Sequence, residues 1–111
     1  MKTNLLLFSI IFSGFAGAQP VKDLIVKAQQ LLGEKKFTEA IQIYNRAKQI
    51  DSTQYDLYTG RGTAYFEMKD YENAFNDFSK AISVKPDSAL AYHYRANLLY
   101  TLLYTEEAIL D

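Results

Sequence analysis

Sliding the chain against itself by 34 residues superposes three copies of one apolar pattern, and no other feature restricts the fold as tightly. Leu24, Tyr58 and Tyr92 coincide, as do Ala28, Gly62 and Ala96, and Leu31, Tyr65 and Leu99. In the second half of the unit Ala40, Ala74 and Ala108 align, Tyr44 meets Phe78, Ala47 meets Ala81, and Ser52 stands where Pro86 does. A period of this size means stacked supersecondary units, each too small to bury its apolar face alone.

The central copy, Tyr58 to Pro86, is the best punctuated. Tyr58, Gly62, Tyr65 and Phe66 recur at three- and four-residue steps, one stripe of a helix, and Ala74, Phe75, Phe78, Ala81 and Ile82 form a second. Large and small residues alternate along each stripe, so helices can approach at Gly62 and Ala74 while rings fill the flanks. Asp70 stands at an N-cap position with Glu72 in the first turn, Lys80 and Lys85 approach the C-terminal end, and Pro86 stops the helix. Thr105 with Glu106 and Glu107 is expected to open the last helix in the same way, and Asp51-Ser52 is a weaker stop in the first unit. The pattern predicts helices near 21–33, 37–50, 55–68, 71–84, 89–102 and 105–111, with no strand.

The spacing of Tyr58, Arg61, Gly62, Tyr65, Ala74, Phe78 and Pro86 resembles the tetratricopeptide repeat, and the likeness runs from about Val21 to Asp111. The resemblance implies an all-α fold, a right-handed α-solenoid of antiparallel helix pairs with repeats at about 21–54, 55–88 and a truncated 89–111. Repeat packing is then expected of Ala28, Gly62, Tyr65, Ala74, Phe78, Ala81, Pro86, Ala96 and Ala108. The family's leucine slot holds Lys27, Arg61 and Arg95, read as edge residues with solvated heads or as a shallow basic ladder. The third unit stops before the residues that would match Phe78 and Ala81, leaving Tyr92, Leu99, Leu102 and Leu103 poorly covered, which is the pattern expected of a fragment of a longer repeat protein.

Residues 1–18 read as an export signal. Lys2 precedes an apolar run from Leu5 to Phe15, too short to span a membrane as a helix, and Ala16-Gly17-Ala18 supplies a cleavage site before Gln19. A buried core helix and an uncleaved anchor are the other readings of this stretch. Domain 19–111 would then act in the periplasm or outside the cell, with membrane contact only during export.

Catalysis finds no support. The chain has no cysteine and one histidine, which excludes thiolate chemistry and a conventional zinc site, and no phosphate-cradling glycine loop occurs. Glu106-Glu107 is better placed to complement a helix dipole than to work as a catalytic pair. A net charge of −1 argues against nucleic acid as a partner. No enzyme activity, cofactor or metal is therefore expected.

By the resemblance, the first helices line a concave groove, placing there Lys22, Ile25 and Gln29, then Asp56, Thr59 and Thr63, then Leu90, His93 and Asn97. Family members that grip a chaperone's C-terminal carboxylate use lysine, asparagine and arginine on these faces. The matching slots here hold Ile25, Gln29, Gly60, Leu90 and Tyr94, so that clamp is absent. The expectation is an interaction scaffold that takes an extended peptide or a helix of a partner protein, with Ile25, Gln29, Asp56, Thr59, Thr63, His93 and Asn97 lining the groove. His93 would add a pH dependence if it touches the ligand, because an imidazole titrates near ~6.5. A docking module of a longer membrane-bound signalling protein, and the repeat region of a longer exported enzyme, are the alternative settings.

Overall fold

The structure, a computed structural model, describes residues 18–110, with side chains over 20–105. Five helices follow one another without a strand among the described residues: α1 Ala18–Gly33, α2 Phe37–Ile50, α3 Tyr55–Glu67, α4 Tyr71–Val84 and α5 Ala89–Leu110. Each packs on its neighbours in the chain, and α1 also touches α3. This is an all-α solenoid of antiparallel helix pairs. The expected leader lies outside the described residues except for Ala18, which opens α1; Pro20 follows in the first turn, where a missing amide proton costs nothing. None of the described helices is long and apolar enough to cross a membrane.

The turns inside the first two pairs are the same device, one period apart. Lys35 donates to Leu32 O and Lys36 to Leu31 O; Lys69 donates to Phe66 O and Asp70 to Tyr65 O. These paired bonds close the helix end with one residue in the left-handed region, here Lys35 at φ 62° and Lys69 at φ 63°. Asp70 then caps α4 by accepting from the Asn73 amide at 3.4 Å, and Ser88 Oγ caps α5 by accepting from the Ala91 amide at 3.3 Å. Between α2 and α3 the Asp51 carboxylate receives the Thr53 hydroxyl at 2.6 Å, the Gln54 amide at 2.8 Å and the Thr53 backbone amide at 2.9 Å. These bonds, the hydroxyl foremost, hold it below the usual carboxylate range.

The third pair does not form. Instead of helices at 89–102 and 105–111, α5 runs unbroken to Leu110. Thr101 and Thr105 donate to Asn97 O and Thr101 O at 2.9 Å each, bonds of a helix interior, so Thr105 is not a cap. One cause is local: the turn would put Leu103 in the left-handed conformation that Lys35 and Lys69 adopt, which is costly for a residue with a Cβ.

Packing makes α3 a two-faced helix. Buried Leu57 and Tyr58 join the core cluster of the preceding pair, while Tyr65 packs on the cluster of Ala74, Phe78 and Leu98 and Gly62 lies against the Phe78 ring of α4. Two glycines set the separations. A Cβ on Gly60 would run into the Tyr44 phenol oxygen of α2, and one on Gly62 would meet the Phe78 ring of α4 at 2.7 Å. Ala28, Ala40, Ala47, Ala74 and Ala81 are likewise fully buried at helix crossings. Ala96 corrects the sequence expectation: it is exposed, because the helix it would pack against is absent from α5's flank. Exposed Pro86 follows α4 as its stop, and Ala108 lies outside the described side chains.

Gly60→Ala should overpack α3 against Tyr44 and lower stability by about 1–3 kcal/mol, read as a fall in the urea midpoint. A second outcome concerns alkali. Burial, reinforced by the charge of Asp56, pushes the Tyr44 phenol up from 10.0 to about 12. The unfolded chain ionises this group first, so stability present below pH 10 is lost as pH rises towards 12. Tyr44→Phe should flatten that decline, and because the Tyr44 hydroxyl has no hydrogen-bond partner it should do so at little cost near neutral pH.

Candidate functional site

Arg61 is neither solvated nor part of a ladder. Its Nε and Nη2 donate to the two carboxylate oxygens of Asp77 at 2.9 and 2.8 Å, and Nη1 donates to Asn45 Oδ1 at 2.8 Å. The ion pair is nearly enclosed, with side chains 11% and 7% exposed. Tyr58 and Tyr65 place ring centroids 5.9 and 6.0 Å from the guanidinium. The bond to Asp77 is the main cause that holds Arg61 protonated beyond its ordinary range, against the pull of burial. Arg61 thus ties α3 to its own second helix and to the previous one. Arg95, one period on, lies over Phe75 and Tyr92, and Lys27 is exposed, so the three basic heads do not converge.

On the side of the first helices, a pocket of about 110 Å³ opens between α3 and α5, lined by Thr63, Phe66, Glu67, Phe78, Tyr94 and Asn97. Its floor is a stacked pair, Phe78 and Tyr94, with centroids 5.2 Å apart and planes 14° apart. Phe66 is held edge-on against Tyr71 at 5.7 Å. Thr63 Oγ1 donates to Thr59 O at 2.7 Å, so towards a ligand this hydroxyl is left as an acceptor. With the Glu67 carboxylate and the Asn97 amide, the rim is rich in acceptors over an aromatic floor. The volume is below that of a drug-sized site and suits one side chain.

The structure brings Thr63 and Asn97 into this pocket. Gln29, Asp56 and His93 are exposed on the first helices outside its lining, and Thr59 is half-buried, its hydroxyl donating to Asp56 O at 3.3 Å. Ile25 is a correction: it is 6% exposed and belongs to the core cluster that contains Leu57, because α1 closes against α3 at that slot. Exposed Lys22 and Leu90 lie outside the pocket too. Glu67 and the aromatic walls escaped the sequence reading, which assigned Phe66 and Phe78 to packing alone. Periodicity gave no separate signal for the aromatic walls, because Phe66 and Phe78 lie four residues beyond Gly62 and Ala74 within the packing stripes. Among the described residues no group of His, Cys, Asp or Glu is arranged to hold a metal ion.

A model of the tetratricopeptide repeat matches residues 55–88. The chain is similar to the tetratricopeptide repeat and J domain-containing co-chaperone DNJ1 of Cryptococcus neoformans, 32% identical over 76 residues, covering 68% of this chain and 15% of that protein. It therefore spans a small part of that curated relative's length. The first repeat domain of Spaghetti (RPAP3), solved with the HSP90 peptide SRMEEVD, superposes with a TM-score of 0.73 at 29% identity, over 81% of this chain and 71% of that one. The repeat domain of Arabidopsis OM64 gives 0.69 at 28% identity, over 70% and 64%.

Removing one partner of the ion pair strands the other. Arg61→Met or Asp77→Leu alone should cost about 3–5 kcal/mol, whereas the two together should cost less than either single change, a coupling that urea unfolding of the four-member cycle will read.

Proposed function

Because this chain belongs to the tetratricopeptide-repeat family, we propose that it is an interaction scaffold that holds a peptide or helix of a partner protein along its first helices. The observation that carries this reading is the pocket between α3 and α5. One apolar side chain can enter it over the Phe78–Tyr94 stack, while a backbone N–H of the same segment reaches Thr63 Oγ1 or the Asn97 amide oxygen. The peptide bound to the similar Spaghetti domain supports a peptide as the ligand class. The means of gripping it would differ. At the slots where a carboxylate clamp needs cations, Ile25 is buried, Gly60 lies under Tyr44 and Tyr94 is stacked on Phe78.

We propose further that residues 1–18 direct export and that the working chain starts at Gln19, which would leave α1 intact but for its first residue. N-terminal sequencing of the product from an exporting host should begin Gln-Pro-Val; retention of Met1 would remove this reading.

Peptides selected from a random display library against the protein should share one apolar anchor. Asn97→Ala, at an exposed position, should weaken the selected peptide by about 2–10-fold, the range of one hydrogen bond, with the helical circular dichroism unchanged. Equal affinity for the variant would exclude this pocket as the recognition point.

A further inference from the structure

The second helices frame a site of different chemistry. Between α2 and α4, across α3, lies an open trough of about 500 Å³ lined by Lys48, Ser52, Tyr58, Arg61, Tyr65, Asn73, Asn76, Asp77 and Lys80. A second hollow of about 500 Å³ shares Lys48 and Arg61 with it and adds Asn45 and Gln49. Three cations face one carboxylate, and that carboxylate, Asp77, is already bound to Arg61 through both oxygens. Neither Lys48 nor Lys80 has an acidic partner among the described residues. Asp51, beside Ser52, is occupied by Thr53 and Gln54. In a chain whose net charge is −1, this is a local concentration of unpaired positive charge.

The neutral lining narrows the ligand. Asn45 accepts from Arg61 and keeps its amide protons for a carbonyl; Asn73 donates to Asp70 at 2.7 Å and keeps its oxygen for an N–H. Asn76 and Gln49 add both kinds of group. Amide donors and acceptors shared between the trough and the adjoining hollow fit a peptide backbone, and two ammonium groups on different helices fit two carboxylate side chains; a single phosphate would leave most of the lining unused.

We infer that the trough between α2 and α4 binds an acidic peptide segment, with carboxylates at Lys48 and Lys80 and its backbone against the surrounding amides. This site lies apart from the pocket between α3 and α5 and does not depend on the function assigned there.

The test is fluorescence anisotropy with a labelled Glu/Asp-rich peptide whose C-terminus is amidated, against its Gln/Asn counterpart. The acidic peptide should bind, weaken as chloride rises, and lose about ten-fold in affinity in Lys48→Gln with Lys80→Gln, two exposed changes that leave the helices in place. Asn97→Ala should bind it unchanged. Equal binding of the neutral peptide, or no effect of the double lysine change, would overturn the proposal. Inorganic phosphate that displaces the peptide beyond a chloride control of matched ionic strength would also overturn it, as the mark of a phosphate site.

Discussion

Three consecutive residues of α3 hold the molecule together: Gly60, Arg61 and Gly62. Neighbours on a helix diverge by about 100°, so the three point in different directions and each meets a different partner. Gly60 admits the Tyr44 ring of α2, Arg61 bonds Asp77 of α4 and Asn45 of α2, and Gly62 admits the Phe78 ring of α4. Two absent side chains let both second helices approach, and the long side chain between them spans the space that remains. The helix spacings, and with them the hollows on either side, follow from this arrangement.

A buried ion pair at such a place is not in itself a source of large stability, since desolvation offsets much of the attraction. Its geometric effect is clearer. The planar guanidinium accepts only one orientation of the Asp77 carboxylate, and the flanking rings of Tyr58 and Tyr65 restrict it further. This fixes the rotation of α4 about its own axis, which plain apolar contact would leave looser.

The sequence reading reached most of the fold because the period is repeated in residue size as well as polarity. Small residues at Ala28 and Gly62, at Ala40 and Ala74, and at Ala47 and Ala81 mark the crossings, and the structure buries all of them. What it missed depends on neighbours that a periodic pattern does not contain. Arg61 sits in an apolar slot, but its partners Asp77 and Asn45 are each 16 residues away, on different helices, and neither is unusual in its own stripe. Ile25 occupies a groove position by register, yet a branched apolar side chain where α1 meets α3 is drawn into that seam. Ala96 and the expected break near Leu103 were read from likeness to the earlier units. Formation of a helix pair depends on what the second helix buries, so likeness in the first helix alone did not determine it.

The same dependence grades the molecule from its centre outwards. On α5, Ala91 and Leu98 are fully buried against the preceding pair, while Tyr92, Leu99, Tyr100, Leu103 and Tyr104 are 45–58% exposed. Among the described side chains the helix is anchored along one narrow stripe that continues to Leu102, which packs on the cluster of Ala74, Phe78 and Leu98. Segments with few buried contacts open with the smallest free energies, so opening should reach exposed Leu103 and Tyr104 before Leu98. Tyr94 and Asn97, which complete the pocket with Thr63, lie just inside that boundary, and the Phe78–Tyr94 stack is the last aromatic contact before it. The wall that α3 contributes is held on two sides, whereas the wall from α5 is held on one. A ligand that touched both would therefore gain part of its hold by fixing the less secured of the two.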